Sequence, residues 1–407
     1  MKSIRLFLVS AGLSLWSSHA RSAIPMTIPL DAKIDGIDNS LSWGIGSDGF
    51  RRPSDPKGVF YTITDRGPNI DCEDSSKLLG WKVCSKGKIF PMPQFNPSIL
   101  KWKIDELNRP QLLSILPLRN RNQDPVSGLS NPWTSATAET AFDWNGDVLR
   151  PDPDGIDPEG LVMLSDNSFW VTEEYGPSLM HIAPSGEILE RWVPEGMEHD
   201  LATANYPVLG KLPAILKQRK LNRGLEALAL SPDGERLTLA MQSALENPGS
   251  KTAKSSRVVR ILTVDLNQKK VDGMYAYEMD AAENFEAPHL DSVKSSDLKI
   301  SAMTFLGNRL LIQERTDETM KIFECTLGPN LLNTKLATSM SSPTLEESKT
   351  KGFSKRLVWD ALTAKDVTPK KIEGMVVMDN ATLLLVNDND FGVSGETSEA
   401  LLIQPKK

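Results

Sequence analysis

The feature that most constrains the fold of this chain is a two-strand unit that occurs four times. Each copy has a polar residue, a small residue and a short apolar strand, then a turn and a second apolar strand with a polar end. Successive copies begin 67, 75 and 72 residues apart. A repeat of this length indicates one supersecondary unit stacked several times. The first strands are 158–163, 225–230, 300–305 and 372–377, and the second strands are 168–174, 237–242, 310–315 and 383–388.

More apolar, alternating segments follow the pairs, which gives about four strands per repeat. Four antiparallel strands repeated at about 70 residues predict an all-β fold, a β-propeller of four-stranded antiparallel blades. The best helical candidate, 209–220, falls in a loop between strands, so a fold that alternates helices and strands is disfavoured. The additional predicted strands are 98–104, 112–116, 179–183, 188–193, 258–264 and 274–279.

Five blades are visible in the sequence, because a weaker copy, 43–46 followed by 60–66, precedes the four clear ones. The 115 residues between Gly44 and Glu159 hold either a sixth, degenerate blade or a long loop rich in Pro, Asp and Asn. Strands near 24–30 and 401–404 are placed to close the ring, which would remove the exposed edge of an open sheet. The expected domain is therefore a single propeller over 24–407.

The N-terminus has the pattern of a secretory signal peptide over residues 1–23. Lys2 and Arg5 precede an apolar run of 11 residues, and small residues follow at a cleavage position. A membrane span needs roughly 20 apolar residues. We therefore expect a bacterial Sec substrate, periplasmic or secreted, with no membrane span once the signal is removed. The formal charge of −7 and the lack of a basic run argue against nucleic acid as a partner and favour cations.

Export also sets the expectation for the three cysteines. Cys72 and Cys84 flank a short polar segment, and in an oxidising compartment they are predicted to form a disulfide. Cys325 lies in an alternating strand pattern, which predicts a buried free thiol.

The repeat places acids at equivalent positions. Glu159, Glu226 and Glu373 begin first strands, which line the channel of a propeller, and the second strands return to the same end. Carboxylates that converge resist ionising together unless a cation lies among them, and oxygen ligands suit Ca²⁺ first and Mg²⁺ second. The alternative is that each Glu only binds backbone N–H groups of the next blade. The predicted ligands are Asp65, Glu159, Glu174, Glu226, Glu373 and Asp388, and Glu173, Glu314 and Asn387 are expected at the same end.

Other chemistries have little support in the sequence. His181, His199 and His289 lack metal-ligand spacing, and no nucleophile elbow or phosphate-binding loop occurs. Glu159 and Glu173 are therefore the predicted catalytic acids, as cation ligands or as a general base. Arg66 is the predicted contact for an anionic substrate, or else it forms a salt bridge between blades.

Five phrases of the chain occur together in one known family: 64–69, 154–161, 170–177, 222–228 and 371–375. With them the chain resembles the "esterase-like activity of phytase" family. The resemblance implies an exported bacterial β-propeller with phosphoesterase or esterase activity, and it supplies no catalytic residue. The third repeat departs from the pattern, with Ser301 where the others have Glu.

These observations together predict an exported, monomeric hydrolase that acts on a small anionic phosphate or carboxylate ester and holds Ca²⁺ in its channel. Two alternatives stay open: a propeller that binds a ligand or protein without catalysis, and a calcium-dependent lactonase. Calcium-dependent ester turnover separates the first alternative from the hydrolase.

Overall fold

The protein is described by a computed structural model that covers residues 23–30, 41–338, 345, 351–364 and 368–406. The predicted signal peptide lies outside the described residues, except for Ala23. Within them, five sheets have at least four strands each, and their innermost strands are neighbours in a closed ring. The predicted fold class, an all-β propeller, is confirmed.

We number the blades I to V along the chain, each from its inner strand outwards. Blade I has Asp48–Phe50, Val59–Ile63, Ser98–Ile104 and Pro110–Pro117. Blade II has Pro158–Met163, Phe169–Glu173, Ser178–Ile182, Ile188–Pro194 and a fifth, parallel strand Val208–Leu212. Blade III has Leu225–Leu230, Arg236–Met241, Val258–Asp265 and Lys270–Glu278. Blade IV has Lys299–Leu306, Arg309–Arg315, Met320–Thr326 and Ser354–Asp360. Blade V has Ile372–Val377, Leu383–Asn387, Glu399–Ile403 and Ile24–Pro25.

The described helices are short and lie in the connections between strands. Three are α-helical and five are 3₁₀ turns, and none is long and apolar enough to cross a membrane. They are Ser75–Leu79, Glu198–Leu201, Ala214–Gln218, Ser250–Ser255, Ala282–Phe285, Ser295–Asp297, Lys335–Thr338 and Asp390–Gly392.

Both ends of the chain contribute to the last blade. Ile24 and Pro25 pair antiparallel with the strand Glu399–Ile403, so the outermost strand of blade V comes from the N-terminal part. Asp48, 1% exposed, links three inner strands. Its carboxylate accepts hydrogen bonds from Leu161 N of blade II at 2.9 Å and Met375 N of blade V at 3.4 Å. Asp48 therefore joins blade I to both of its neighbours, blades II and V, and stabilises the closed ring.

Three local predictions need correction. The inner strand of blade I is Asp48–Phe50, not 43–46. The region 209–220 is not one helix, because the strand Val208–Leu212 pairs with blade II and Pro213 separates it from a 3₁₀ turn. The long segment after Gly44 holds blade I and a small sheet of Ile70–Asp71, Lys88–Ile89 and Ala141–Phe142, rather than a sixth blade.

The small residue of each repeat has a packing reason. A Cβ on Gly160 would lie 2.6 Å from Leu228 Cβ and 2.7 Å from Leu228 N, in the neighbouring inner strand. Inner strands of adjacent blades thus approach too closely for a larger side chain, and apolar side chains fill the wedges farther out. Trp170, Trp192, Leu239 and Leu262 belong to the cluster between blades II and III.

The structure joins Cys72 and Cys84 in a disulfide and leaves Cys325 as a buried thiol. The 12-residue separation closes a loop that contains the helix Ser75–Leu79. Asp74 and Leu78 of this loop line the pocket at the channel end. The disulfide therefore stabilises a wall of the pocket.

We expect peptide mapping of the oxidised protein under non-reducing conditions to recover Cys72 and Cys84 in one cross-linked pair. Cys325 should be alkylated only after denaturation, because burial raises the pKa of its thiol to about 12. Replacing both partners by Ser should lower the free energy of unfolding by about 3 kcal/mol on the chain-entropy argument. Recovery of Cys72 and Cys84 as two free thiols would contradict the pairing.

Candidate functional site

The candidate site is a pocket of about 450 Å³ at one end of the channel. Inner strands begin at this end and second strands finish there, because each hairpin reverses the chain direction. Side chains from all five blades line the pocket, together with residues 69–78 of the connection within blade I.

Three of the inner strands bring a charged residue two positions ahead of the polar residue that the repeat predicts. In blades II and V both residues of the pair line the pocket, and in blade IV Lys299 lines it whereas Ser301 does not. Blade II has Asp157 before Glu159, blade IV has Lys299 before Ser301, and blade V has Lys371 before Glu373.

At the ends of the second strands, Glu174 and Asp388 line the pocket as expected, whereas Glu173, Glu314 and Asn387 need a correction. Glu173 pairs in register with Pro158, Met241 with Leu225, Glu314 with Ile300 and Asn387 with Ile372, so these four are equivalent. A shift of one residue along a strand moves a side chain to the opposite face. The residues that line the pocket are one position later: Glu174, Gln242, Arg315 and Asp388.

Glu173, predicted as catalytic, therefore lies outside the pocket. It is fully buried, and its Oε2 accepts hydrogen bonds from Gly176 N at 2.9 Å and Ser178 Oγ at 3.2 Å. The same oxygen lies 3.0 Å from Arg191 Nη2. Glu314 is likewise turned into its blade, where Lys355 Nζ lies 2.6 Å away. Glu173 therefore stabilises blade II, and Glu314, which also accepts a hydrogen bond from Tyr277, links blades III and IV.

Five of the acids that line the pocket gather on the side of blades I to III. In two groups of three, ligand oxygens lie within 4.8 Å of one another: Asp65, Asp157 and Glu159, and Glu159, Glu174 and Glu226. We call these five residues the acidic pole. Gln242 Nε2 donates to Glu174 Oε1 at 2.6 Å and Glu226 Oε2 at 2.7 Å, which holds two of its carboxylates.

Ionising all five carboxylates of the acidic pole costs free energy unless a counter-charge lies among them. Burial, then repulsion from neighbouring carboxylates, holds the pKa of Asp65, Glu159 and Glu174 well above the ordinary range. Burial also raises the pKa of Glu226 to about 7, although Arg315 and the Gln242 hydrogen bond oppose it. Such a group takes up protons or a cation to lower its free energy.

The opposite side of the pocket is positive. We call Arg223, Lys299, Arg315 and Lys371 the basic pole, and blades III, IV and V supply them. Arg315 pairs with Glu373, so this predicted ligand lies in the basic pole. Lys299 Nζ lies 3.2 Å from Asp317 Oδ1 in the same region. Burial and the neighbouring Arg315 and Arg223 lower the pKa of Lys299 to about 8.

Arg66, predicted to contact an anion, borders the pocket but has its donors occupied. Its guanidinium lies 3.0 Å from Glu139 Oε1 and 3.3 Å from Asp157 Oδ2, and it donates to Gly128 O at 2.9 Å. The guanidinium also lies over the ring of Tyr175, 5.0 Å from its centroid. This geometry makes Arg66 a positioning residue for Asp157.

Two buried polar atoms of the pocket lack a hydrogen-bond partner among the described residues, and they indicate which kinds of ligand the pocket can bind. Asp388, 5% exposed, lines the pocket between the two poles, and its Oδ1 has no hydrogen-bond partner among the described residues. Asp388 also raises the pKa of Asp65 by repulsion. On the basic side, Arg223 Nη1 is buried and likewise without an acceptor within the described part of the chain. The pocket therefore offers a carboxylate oxygen to a hard cation and a guanidinium N–H to an anion beside it.

The predicted site residues do not include Asp157, Arg223, Lys299 and Lys371, which line the pocket. Asp157, Lys299 and Lys371 carried a usable signal, because each stands two residues before the repeated polar position. Arg223 stands three residues before Glu226 and carries no such signal.

Fold and site together define a five-bladed β-propeller with a pocket of divided charge at one end of its channel. A family profile described as "Phytase-like: Esterase-like activity of phytase" matches residues 50–391, and the chain belongs to this family. A curated protein of Arthroderma benhamiae, described as an uncharacterized secreted protein, is 25% identical over 276 residues. The match covers 61% of this chain and 51% of that protein, so the chain spans about half the length of this relative.

Two solved propellers are similar in outline. Regucalcin of Agrobacterium tumefaciens, described as a calcium-binding protein, has a TM-score of 0.37 and 10% identity, covering 92% of this chain and 97% of its own. The periplasmic gluconolactonase of Pseudomonas aeruginosa has a TM-score of 0.32 and 10% identity, covering 89% and 87%. Scores this low support no inference about the site.

Proposed function

We propose that this protein is an exported hydrolase of phosphate or carboxylate esters that works with a divalent cation, Ca²⁺ before Mg²⁺, in the acidic pole. The observation that carries the proposal is the acidic pole facing the basic pole across one pocket of about 450 Å³. A cation in such a place polarises an ester oxygen or lowers the pKa of a bound water.

In this proposal the residues of the pocket have three kinds of role: cation ligand, substrate contact and positioning residue. Asp65, Glu159, Glu174 and Glu226 supply oxygen ligands, and Asp157 joins them. The basic pole holds the anionic part of the substrate through Arg223 and Lys299. Arg66 acts on the site indirectly by fixing Asp157, and Glu173 by fixing its blade.

Export rests on three lines of support. The first 23 residues have the pattern of a signal peptide, the described chain contains a disulfide, and the Arthroderma relative is described as secreted. We place the protein in the periplasm or outside the cell.

The test removes and restores the metal. Protein stripped by EDTA should hydrolyse neither a generic phosphate monoester nor a generic carboxylate ester, and Ca²⁺ should restore turnover of one of them. Glu226→Gln keeps the shape of the side chain and removes a ligand charge. We expect it to weaken calcium binding at least about tenfold, which is about 1.4 kcal/mol. High calcium should then partly rescue its turnover.

Glu235→Gln is the matched control, because Glu235 is exposed on the hairpin turn of the same blade. It should behave as wild type. Calcium binding without turnover of any ester would identify a non-catalytic binding propeller, and turnover of lactones alone would identify a lactonase. Equal turnover by Glu226→Gln and wild type at limiting calcium would place the chemistry elsewhere.

A further inference from the structure

The acidic pole consists of two overlapping groups rather than one. Asp65, Asp157 and Glu159 form the first, and Glu159, Glu174 and Glu226 form the second. Glu159 is the only member that they share. Oxygens within 4.8 Å of one another are spaced like ligands of a common Ca²⁺, whose Ca–O distances are about 2.4 Å, so each group has about the size of one ion site.

The charge of the pole also exceeds what one ion neutralises. Five buried carboxylates with one divalent cation would keep a net charge of about −3, and with two cations about −1. Arg66, which lies 3.3 Å from Asp157 Oδ2, is shared with Glu139, and the cations of the basic pole act on Glu174 and Glu226 but not on the first group. A cation in one group would leave two acids of the other facing each other in a buried place.

Two buried oxygens without partners in the part of the chain that the structure describes indicate that the pocket binds ligands and is not filled by hydrogen bonds among its own side chains. Asp388 Oδ1 is buried in the pocket without a partner among the described residues. Gln242 directs its N–H donors to Glu174 and Glu226, and its Oε1 has no partner in the same part of the chain. Both residues are at least nine-tenths buried. Oxygens of this kind are suited to additional ion or water ligation.

We propose that the pocket holds two divalent cations at neighbouring sites, with Glu159 as the shared ligand. The first site uses Asp65, Asp157 and Glu159, and the second uses Glu159, Glu174 and Glu226. This rests on the proposed function for the identity of the pocket and extends it from one ion to two. Paired cations about 4 Å apart are used elsewhere to stabilise the attacking and leaving oxygens of phosphate displacements.

The test counts ions without using activity. Metal-stripped protein is equilibrated with calcium in 100 mM KCl by dialysis, and bound calcium is measured by elemental analysis. We expect two ions per chain in wild type and in the control Glu235→Gln. Asp65→Asn and Glu226→Gln should each keep one ion at the same free calcium, because each removes a ligand of one site only. Glu159→Gln should lose both.

Folding of every variant is checked by circular dichroism, and Asp157→Asn and Glu174→Gln are second choices for the two sites. One ion in wild type would overturn the proposal, as would loss of both ions in Asp65→Asn or in Glu226→Gln. Unchanged counts in the four single-site variants would also overturn it. Two ions without ester turnover would keep this inference and refute the hydrolase, and one ion with turnover would do the reverse.

Discussion

Glu173→Gln should lower the free energy of unfolding by about 3 kcal/mol, because it leaves the buried Arg191 guanidinium without its counter-charge. Arg191 is fully buried and lies 3.0 Å from Glu173 Oε2. Burial raises the pKa of Glu173 to about 7, so urea unfolding is measured at pH 8, where the carboxylate is charged. Calcium affinity should remain within twofold of wild type, because the side chain does not reach the pocket.

Glu174→Gln is the matched comparison, one residue along the chain. Its side chain lines the pocket, so it should weaken calcium binding and change stability much less in metal-free protein. The pair therefore separates a blade-stabilising acid from a pocket acid. If Glu173→Gln lost calcium and Glu174→Gln did not, the register of the second strand in blade II would be wrong.

The second large effect concerns the basic pole and pH. Sulfate, which does not titrate near neutrality, should compete with an anionic substrate, and its affinity should fall about tenfold per pH unit above pH 8. The cause is Lys299, whose pKa burial and the neighbouring Arg315 and Arg223 lower to about 8, while Asp317 and Glu174 oppose this. Lysine loses its charge above its pKa, so binding weakens as pH rises. Inhibition by sulfate is measured from pH 7 to pH 10 with saturating calcium.

Lys299→Arg is the informative variant, since it keeps the charge at every pH of this range. Its sulfate affinity should be nearly constant, and Lys299→Met should bind sulfate weakly throughout. An equal pH dependence in wild type and Lys299→Arg would show that another group controls anion binding. Lys57, on the exposed surface with its side chain 88% exposed, gives the control Lys57→Met.

Much of this architecture was predictable, because strand alternation and a repeat near 70 residues are properties of the chain itself. The acids at the start of the inner strands, Glu159 and Glu226, were located from the repeat alone. The ends of the second strands were located less sharply, because hairpin length differs between blades and a single residue decides which side faces the channel. The sequence therefore placed both Glu173 and Glu174 at the site, and only Glu174 lines the pocket.

The division of charge was harder to predict. Blade IV brings two cations, Lys299 and Arg315, into the pocket beside Asp317, and this becomes visible only when its first two strands are set in register. The pairing of Glu373 with Arg315 depends on contact between two blades. The two residues are 58 positions apart in the chain, and no pattern in the sequence pairs them. Long-range pairs of this kind need the closed ring before they can be recognised.

The last blade combines the strand Ile24–Pro25 with the final strands of the chain. The ring therefore cannot close until the strand Glu399–Ile403 has been synthesised. The acids and bases of the pocket lie on strands from different blades, so a nascent chain or a C-terminal truncation has only fragments of the site. A chain that ends after blade III would contain every residue of the acidic pole but neither the closed ring nor the Lys299, Arg315 and Lys371 that face it.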